Sequence, residues 1–160
     1  MSPRIPVELH TVKENLPALR ARLHDAGLTR YDLADRGRFE HNDLLVVPDL
    51  FDRLVQLTRR PLTVLRARWL VFRRGDYSLT RGDALSRLPG DHVELTFDLS
   101  PASSGEAQVV YTDGASSVYV PQTAGQVSVV ARDEGIYRWE RYLGLRMGEA
   151  VVYRLRLTLR

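Results

Sequence analysis

The chain has 160 residues, the usual size of one domain around one core, so two independent domains are not expected. Its 44% hydrophobic and 27% charged residues are those of an ordinary globular protein, and no apolar run is long enough to cross a bilayer, which removes the membrane as an expected partner. Cysteine is absent, so disulfides, thiolate catalysis and thiolate metal sites are excluded and any metal must be held by His, Asp or Glu.

The net charge of +3 is modest, and the arginines are spread along the whole chain instead of being gathered on one face or tail, so nucleic acid is not an expected partner. Lys13 is the one lysine, a bias read first as the mark of a GC-rich, bacterial genome. Met1 to Val7 has no apolar stretch ending in small residues, and a cytoplasmic location is expected.

In chain order, a short extended start is followed by a helix capped by Asn15, with Pro17 in its first turn, Leu16, Leu19 and Leu23 at helical spacing, and Gly27 as its stop. Tyr31 to Asn42 is polar, contains Gly37 and reads as a loop lying over a barrel mouth. A second helix is predicted between Pro48 and Thr58, where Leu50, Phe51, Leu54, Val55 and Leu57 form a stripe. From Leu62 the texture becomes β-branched and aromatic, with Gly, Pro, Ser and Asp between short segments. Strands are predicted at Thr63 to Phe72, Tyr77 to Thr80, His92 to Asp98, Ala107 to Tyr111, Ser117 to Val120, Val127 to Ala131, Ile136 to Tyr142 and Ala150 to Thr158. The expected fold is mainly β with N-terminal helices, an α+β domain in which residues 1–62 form a helical support and residues 63–160 a sandwich or barrel core.

Two strands alternate cleanly. Val93, Leu95, Phe97 and Leu99 share one face, expected in the core, while His92, Glu94, Thr96 and Asp98 share the other, expected at the surface as is usual for antiparallel sheets. Near the C-terminus, Val151, Tyr153, Leu155, Leu157 and Leu159 face one way, and Val152, Arg154, Arg156 and Thr158 the other, toward a cavity or solvent.

The segment Arg73-Arg-Gly-Asp-Tyr-Ser-Leu-Thr-Arg-Gly-Asp83 resembles the stretch of prolyl 4-hydroxylase-like, 2-oxoglutarate and Fe(II) dependent oxygenases in which Gly-Asp-aromatic leads into His-x-Asp, the first two iron ligands. Gly105-Glu106 and Val118-Tyr-Val-Pro-Gln-Thr-Ala-Gly125 resemble that family's Gly-Glu and Pro-x-x-Gly turns, in the right order over residues 63–160. The resemblance implies a double-stranded β-helix, a jelly-roll or cupin-like barrel flanked by the two helices. It places Asp83 at the iron-binding Asp, Arg81 where the first His would stand, and Arg154, with Arg156 as alternative, where an Arg binds the co-substrate. The second His has no counterpart, because no His follows His92 and the region Arg138 to Met147 has none.

A facial triad of two His and one carboxylate holds Fe(II) and leaves positions open. Asp83 alone cannot do so, and the permanent cation of Arg81 repels a metal and is expected to pair with Asp83 or Glu94. An alternative ligand set is Asp83, His92 and Glu94, if the polar face of residues 92–99 points into the barrel, with His41 as an added loop ligand. His10 and His24 lack a metal motif, and the two Arg-Gly-Asp triplets, 74–76 and 81–83, are chance in a turn-rich stretch. Tyr137, Trp139 and Arg141 share one face of a strand and form the candidate partner surface, against cross-strand packing as the plain reading.

No hydrolase triad, phosphate-cradling Gly-rich loop or dinucleotide fingerprint is present. The expected function is a degenerate oxygenase-fold protein acting as a non-catalytic binding or interaction module for a protein or small molecule, without cofactor. The alternatives are an active dioxygenase using Fe(II) and 2-oxoglutarate with an altered ligand set, and a structural β-domain that forms a homodimer.

Overall fold

The computed structural model describes residues 5–160, so Met1 to Arg4, part of the segment inspected for a leader, lies outside the described residues. The elements run β1 (Val7–Thr11), α1 (Leu16–Ala26), β2 (Thr29–Leu33), β3 (Gly37–Asn42), α2 (Pro48–Gln56), β4 (Val64–Phe72), β5 (Tyr77–Ser78), α3 (Thr80–Ser86), β6 (His92–Asp98), β7 (Ser104–Thr112), β8 (Ser117–Gln122), β9 (Gln126–Arg132), β10 (Tyr137–Glu140) and β11 (Val152–Leu159), with a single 3-10 turn at Leu145–Met147. Among the described residues no helix is long and apolar enough to cross a membrane, which says nothing of strands.

All strands are joined in one antiparallel sheet of order β1-β9-β6-β11-β4-β3-β5-β10-β7-β8, with β2 on β3. The sheet curls so that the array β9-β6-β11-β4 faces the array β8-β7-β10-β5, as side-chain bonds between them require: Tyr111 to Glu94, Gln122 to Asp98 and Arg154 to Glu140. From β4 onward the chain steps back and forth between the arrays, the winding of a double-stranded β-helix.

The N-terminal region adds strands as well as helices to this frame. α1 forms where predicted: Asn15 Oδ1 accepts the Ala18 amide at 3.1 Å, and Gly27 ends the helix at a φ of 93° that favours glycine. Tyr31 to Asn42, read as a loop, instead belongs to the hairpin β2–β3. Its polar composition reflects cross-strand pairs on an outer strand, Asp32 with Arg38 at 3.1 Å, whereas Tyr31 stacks on Phe39 at 4.8 Å on the other face. β3 links the two arrays through β4 and β5, and Gly37 passes so close to Tyr77 that a Cβ would lie 3.0 Å from its carbonyl oxygen. The predicted strand Tyr77 to Thr80 also changes form, since it stops at Ser78 and the chain enters α3.

The main core lies outside the barrel wall. Trp69, Val71, Leu95, Phe97, Leu155 and Leu157 point outward from the first array and are covered by Leu23 of α1 and Leu50, Phe51 and Leu54 of α2. With the apolar face of β6 committed to the helices, its other face points into the barrel: His92, Glu94, Thr96 and Asp98 are all buried, not at the surface as expected. Every residue of β6 and β11 is buried. One end of the interior, where β4 finishes and β11 begins, is closed by Phe39, Leu70, Phe72, Leu143, Met147 and Val152.

Because Leu50 is fully buried between α2 and the sheet, Leu50→Ala is expected to cost about 2–5 kcal/mol in urea unfolding. Leu44, 87% exposed in the preceding segment, is the control, and Leu44→Ala should change stability by no more than about 0.5 kcal/mol.

Candidate functional site

The middle of the barrel is built from charges. β6 contributes Glu94 and Asp98 and β11 contributes Arg154 and Arg156, with Asp98 opposite Arg154 and Thr96 opposite Arg156 in the ladder. From across the barrel come Arg138 and Glu140 of β10, while Arg132 ends β9 and Asp83 reaches in from α3. Arg132 bridges Asp83 and Glu94, at 2.8 Å from Glu94 Oε2, and also donates to the Ile136 carbonyl at 2.8 Å. Arg138 repeats the bridge: its guanidinium meets Glu94 and lies 3.3 Å from Asp83 Oδ1, while its backbone amide donates to Asp83 Oδ2 at 3.0 Å. The Tyr111 hydroxyl donates to Glu94 Oε1 at 2.7 Å. Deeper in, Glu140 accepts from Arg154 at 2.9 Å and Arg156 at 2.8 Å, and Arg156 Nε also faces Thr96 and Glu94.

Four carboxylates thus meet four guanidiniums, as buried charge requires. Burial pushes the carboxyls of Asp83, Glu94 and Glu140 up, but the surrounding arginines win and hold all three below the usual carboxylate range, Glu94 furthest. The opposing cations are Arg138 and Arg132 at Asp83, these two with Arg156 at Glu94, and Arg156, Arg154 and Arg138 at Glu140. Asp98 goes the other way: burial raises it, since Arg154 reaches only to 4.0 Å and its Oδ2 has no hydrogen-bond donor among the described residues. His92, buried with Nδ1 3.1 Å from the Gly90 carbonyl, is lowered by burial and by Arg132.

The residues singled out in the sequence divide sharply. Asp83, Glu94, Arg154 and Arg156 all enter this network, whereas Arg81 does not. Its side chain is 67% exposed and pairs with Asp35 at 3.2 Å, so the expected pairing of Arg81 with Asp83 or Glu94 is replaced by pairing with Arg132 and Arg138. The reason is α3: two residues apart on a helix is a rotation of about 200°, so Arg81 and Asp83 face opposite ways, where on a strand they would share a face. His92 stands beside the network and His41 lies outside it, 3.2 Å from Asp43. Tyr137, Trp139 and Arg141 point away from the interior: Tyr137 is 37% exposed with the Arg87 guanidinium 5.2 Å from its ring centre, Trp139 is half-buried, and Arg141 is exposed. Arg132, Arg138, Glu140, Asp98 and Tyr111 were not identified as site residues. Their signal was alternation, because Arg138 and Glu140 interleave with Tyr137 and Trp139.

These donors do not suit Fe(II). Among the described residues no three His, Cys, Asp or Glu side chains converge as a metal needs. Asp83 and Glu94 are each shared by the same two guanidiniums, which would face any cation placed between them. Arg154 and Arg156, the candidates for a co-substrate carboxylate, are both held by Glu140.

Two outcomes are expected. Glu94→Gln, which leaves buried guanidiniums under-neutralised, should cost about 3–5 kcal/mol, while Arg81→Gln at the exposed pair should cost less than about 1 kcal/mol, both by urea unfolding. For pH the sign is set by the lowered pKa values: a group that holds its proton less well when folded favours folding above its unfolded value and loses that favour as pH falls. His92 should therefore begin to destabilise the protein on acidification below about pH 6.5, and Asp83, Glu94 and Glu140 below about pH 4.5, with Asp98 partly opposing them. Melting temperature against pH for the wild type and His92→Gln checks this: the variant should lack the first decline and keep the second.

By sequence the chain matches no protein-family model and no curated protein. Solved structures do match. A prolyl 4-hydroxylase from Pseudomonas putida superposes with a TM-score of 0.68 at 10% identity, covering 98% of this chain and 93% of that one. A viral collagen prolyl hydroxylase from Paramecium bursaria Chlorella virus-1, solved as a 2-oxoglutarate complex, gives 0.68 at 11% identity over 96% and 95%. The non-heme alpha-ketoglutarate dependent carbocyclase SnoK of nogalamycin biosynthesis gives 0.69 at 14% identity over 96% and 78%. With the winding of its strands and these likenesses over nearly its whole length, the chain has the double-stranded β-helix fold of the prolyl 4-hydroxylase-like 2-oxoglutarate oxygenases.

Proposed function

We propose that this chain is a non-catalytic binding or interaction module built on the oxygenase fold. The observation that carries the reading is the double commitment of Asp83 and Glu94 to Arg132 and Arg138, in a barrel whose relatives in structure include prolyl hydroxylases. Permanent cations in that position neutralise the carboxylates without leaving a coordination position open, and they repel a divalent metal. A fold by itself does not dictate chemistry, since one scaffold hosts unrelated sites. A binding role leaves two places for a partner: the mouth of the barrel, and the outer face of β10 with Tyr137 and Trp139, continued by Arg141 just after the strand.

The test is an anaerobic titration of the purified protein with Fe(II) and 2-oxoglutarate, followed by calorimetry and by the visible charge-transfer band, with Asp83→Ala alongside. No stoichiometric uptake is expected. Stoichiometric binding that disappears in Asp83→Ala would overturn the reading in favour of an oxygenase with an altered ligand set.

A further inference from the structure

The charge balance of the barrel interior does not extend to its mouth. A cavity of about 30 Å³ opens there beside α3, and its walls include Arg66, Arg68, Arg87, Arg132, Arg138 and Arg156 against only two carboxylates, Asp83 and Glu94. Two of the six find acids elsewhere, Arg68 in a two-pronged pair with Asp43 and Arg156 with Glu140. Arg132 and Arg138 are matched by Asp83 and Glu94. Arg66 and Arg87 remain. Among the described residues neither has a carboxylate partner: Arg66 donates to the Ser86 carbonyl, and Arg87 to the Glu134 carbonyl at 3.0 Å and to that of Asp133. Hydrogen-bonding capacity is also left over, because the Nε atoms of Arg87, Arg132 and Arg138 are buried without an acceptor among the described residues.

Two guanidiniums without a carboxylate partner, on residues that line one small cavity together with two further arginines whose Nε is unmatched, call for a compact doubly charged acceptor. We infer that the barrel mouth binds a phosphoryl group, held by Arg66 and Arg87, as the ligand class of the binding module proposed above, on which this inference rests. A phosphate monoester carries close to two negative charges near neutral pH and several acceptor oxygens, which is what the surplus requires. The cavity has room for little more than one or two waters, so it takes a head group and not a whole metabolite. The remainder of the ligand has a neighbouring cavity of about 100 Å³, which shares Arg68, Asp83 and Arg138 with the first and adds the rings of Tyr31 and Phe39. Burial, and after it the neighbouring Arg132, lower the pKa of Arg87.

The experiment is a metal-free calorimetric titration of the full chain with inorganic phosphate, against sodium chloride at matched ionic strength, in wild type, Arg66→Gln, Arg87→Gln and Arg53→Gln. Saturable phosphate binding is expected, weakened about tenfold or more in each of the first two variants and unchanged in Arg53→Gln, whose arginine pairs with Glu14 on the surface. Should either variant fold poorly, the wild type decides: phosphate should protect Arg66 and Arg87 from phenylglyoxal, read by mass spectrometry. Absence of saturable binding up to the millimolar range, an equal response to chloride, or full binding in both variants would overturn the inference. Since no metal or 2-oxoglutarate is present, such a failure leaves the non-catalytic reading standing, while uptake of Fe(II) and 2-oxoglutarate would remove that reading independently.

Discussion

A charge inside a barrel of this size must be met by its opposite, and the interior is organised around that requirement. Asp83, Glu94, Asp98 and Glu140 project into a space that the surrounding walls largely close to water, and Arg132, Arg138, Arg154 and Arg156 are there to answer them. The pairing is not a source of great stability, since desolvating eight ionised groups cancels most of what their attraction returns. What it supplies is geometry. Glu94 on one array is reached by Arg138 on the other, and Glu140 on the second array is reached by Arg154 and Arg156 on the first, so the two faces of the barrel are held in one mutual position. A slip of one residue in β6 or β11 would turn these charges toward the helices and leave them unpaired.

The same requirement explains the division of labour between the two surfaces of the first array. Its outer surface carries the apolar residues and is sealed by α1 and α2, so the main hydrophobic core lies between the sheet and the helices and not in the barrel interior. Relieved of that task, the inner surface can be polar along β6 and β11, with apolar residues closing one end. The fold therefore has an interior that chemistry can occupy, and here it is occupied by arginine.

Much of this architecture was legible in the residues. The alternation of β6 and β11 was plain, as was the helical stripe of α2, and the turn ending at Gly125 stands between β8 and β9, whereas Gly105-Glu106, expected as a turn, lies within β7. What alternation cannot say is which face is wet. A strand with acids on one side looks half-exposed until a second strand with arginines on its matching side is laid beside it, as Arg154 lies against Asp98. The hairpin β2–β3 was hidden for a related reason, because cross-strand ion pairs resemble the composition of a loop. The role given to Arg81 failed on local structure alone: a short helix where a strand end was expected rotated it to the surface, and the cations that took its place came from β9 and β10, some fifty residues further along the chain.

The way Arg132 and Arg138 share Asp83 and Glu94 has an arithmetic consequence. One divalent ion carries the charge of two guanidiniums, so exchanging the organic counter-charge for a metallic one is neutral only if both arginines leave together. Losing either alone strands one negative charge in a closed interior, and adding an ion while both remain strands two positive ones. Each arrangement is neutral by itself, and a single step from one toward the other, an arginine lost or an ion added, leaves net charge in the interior.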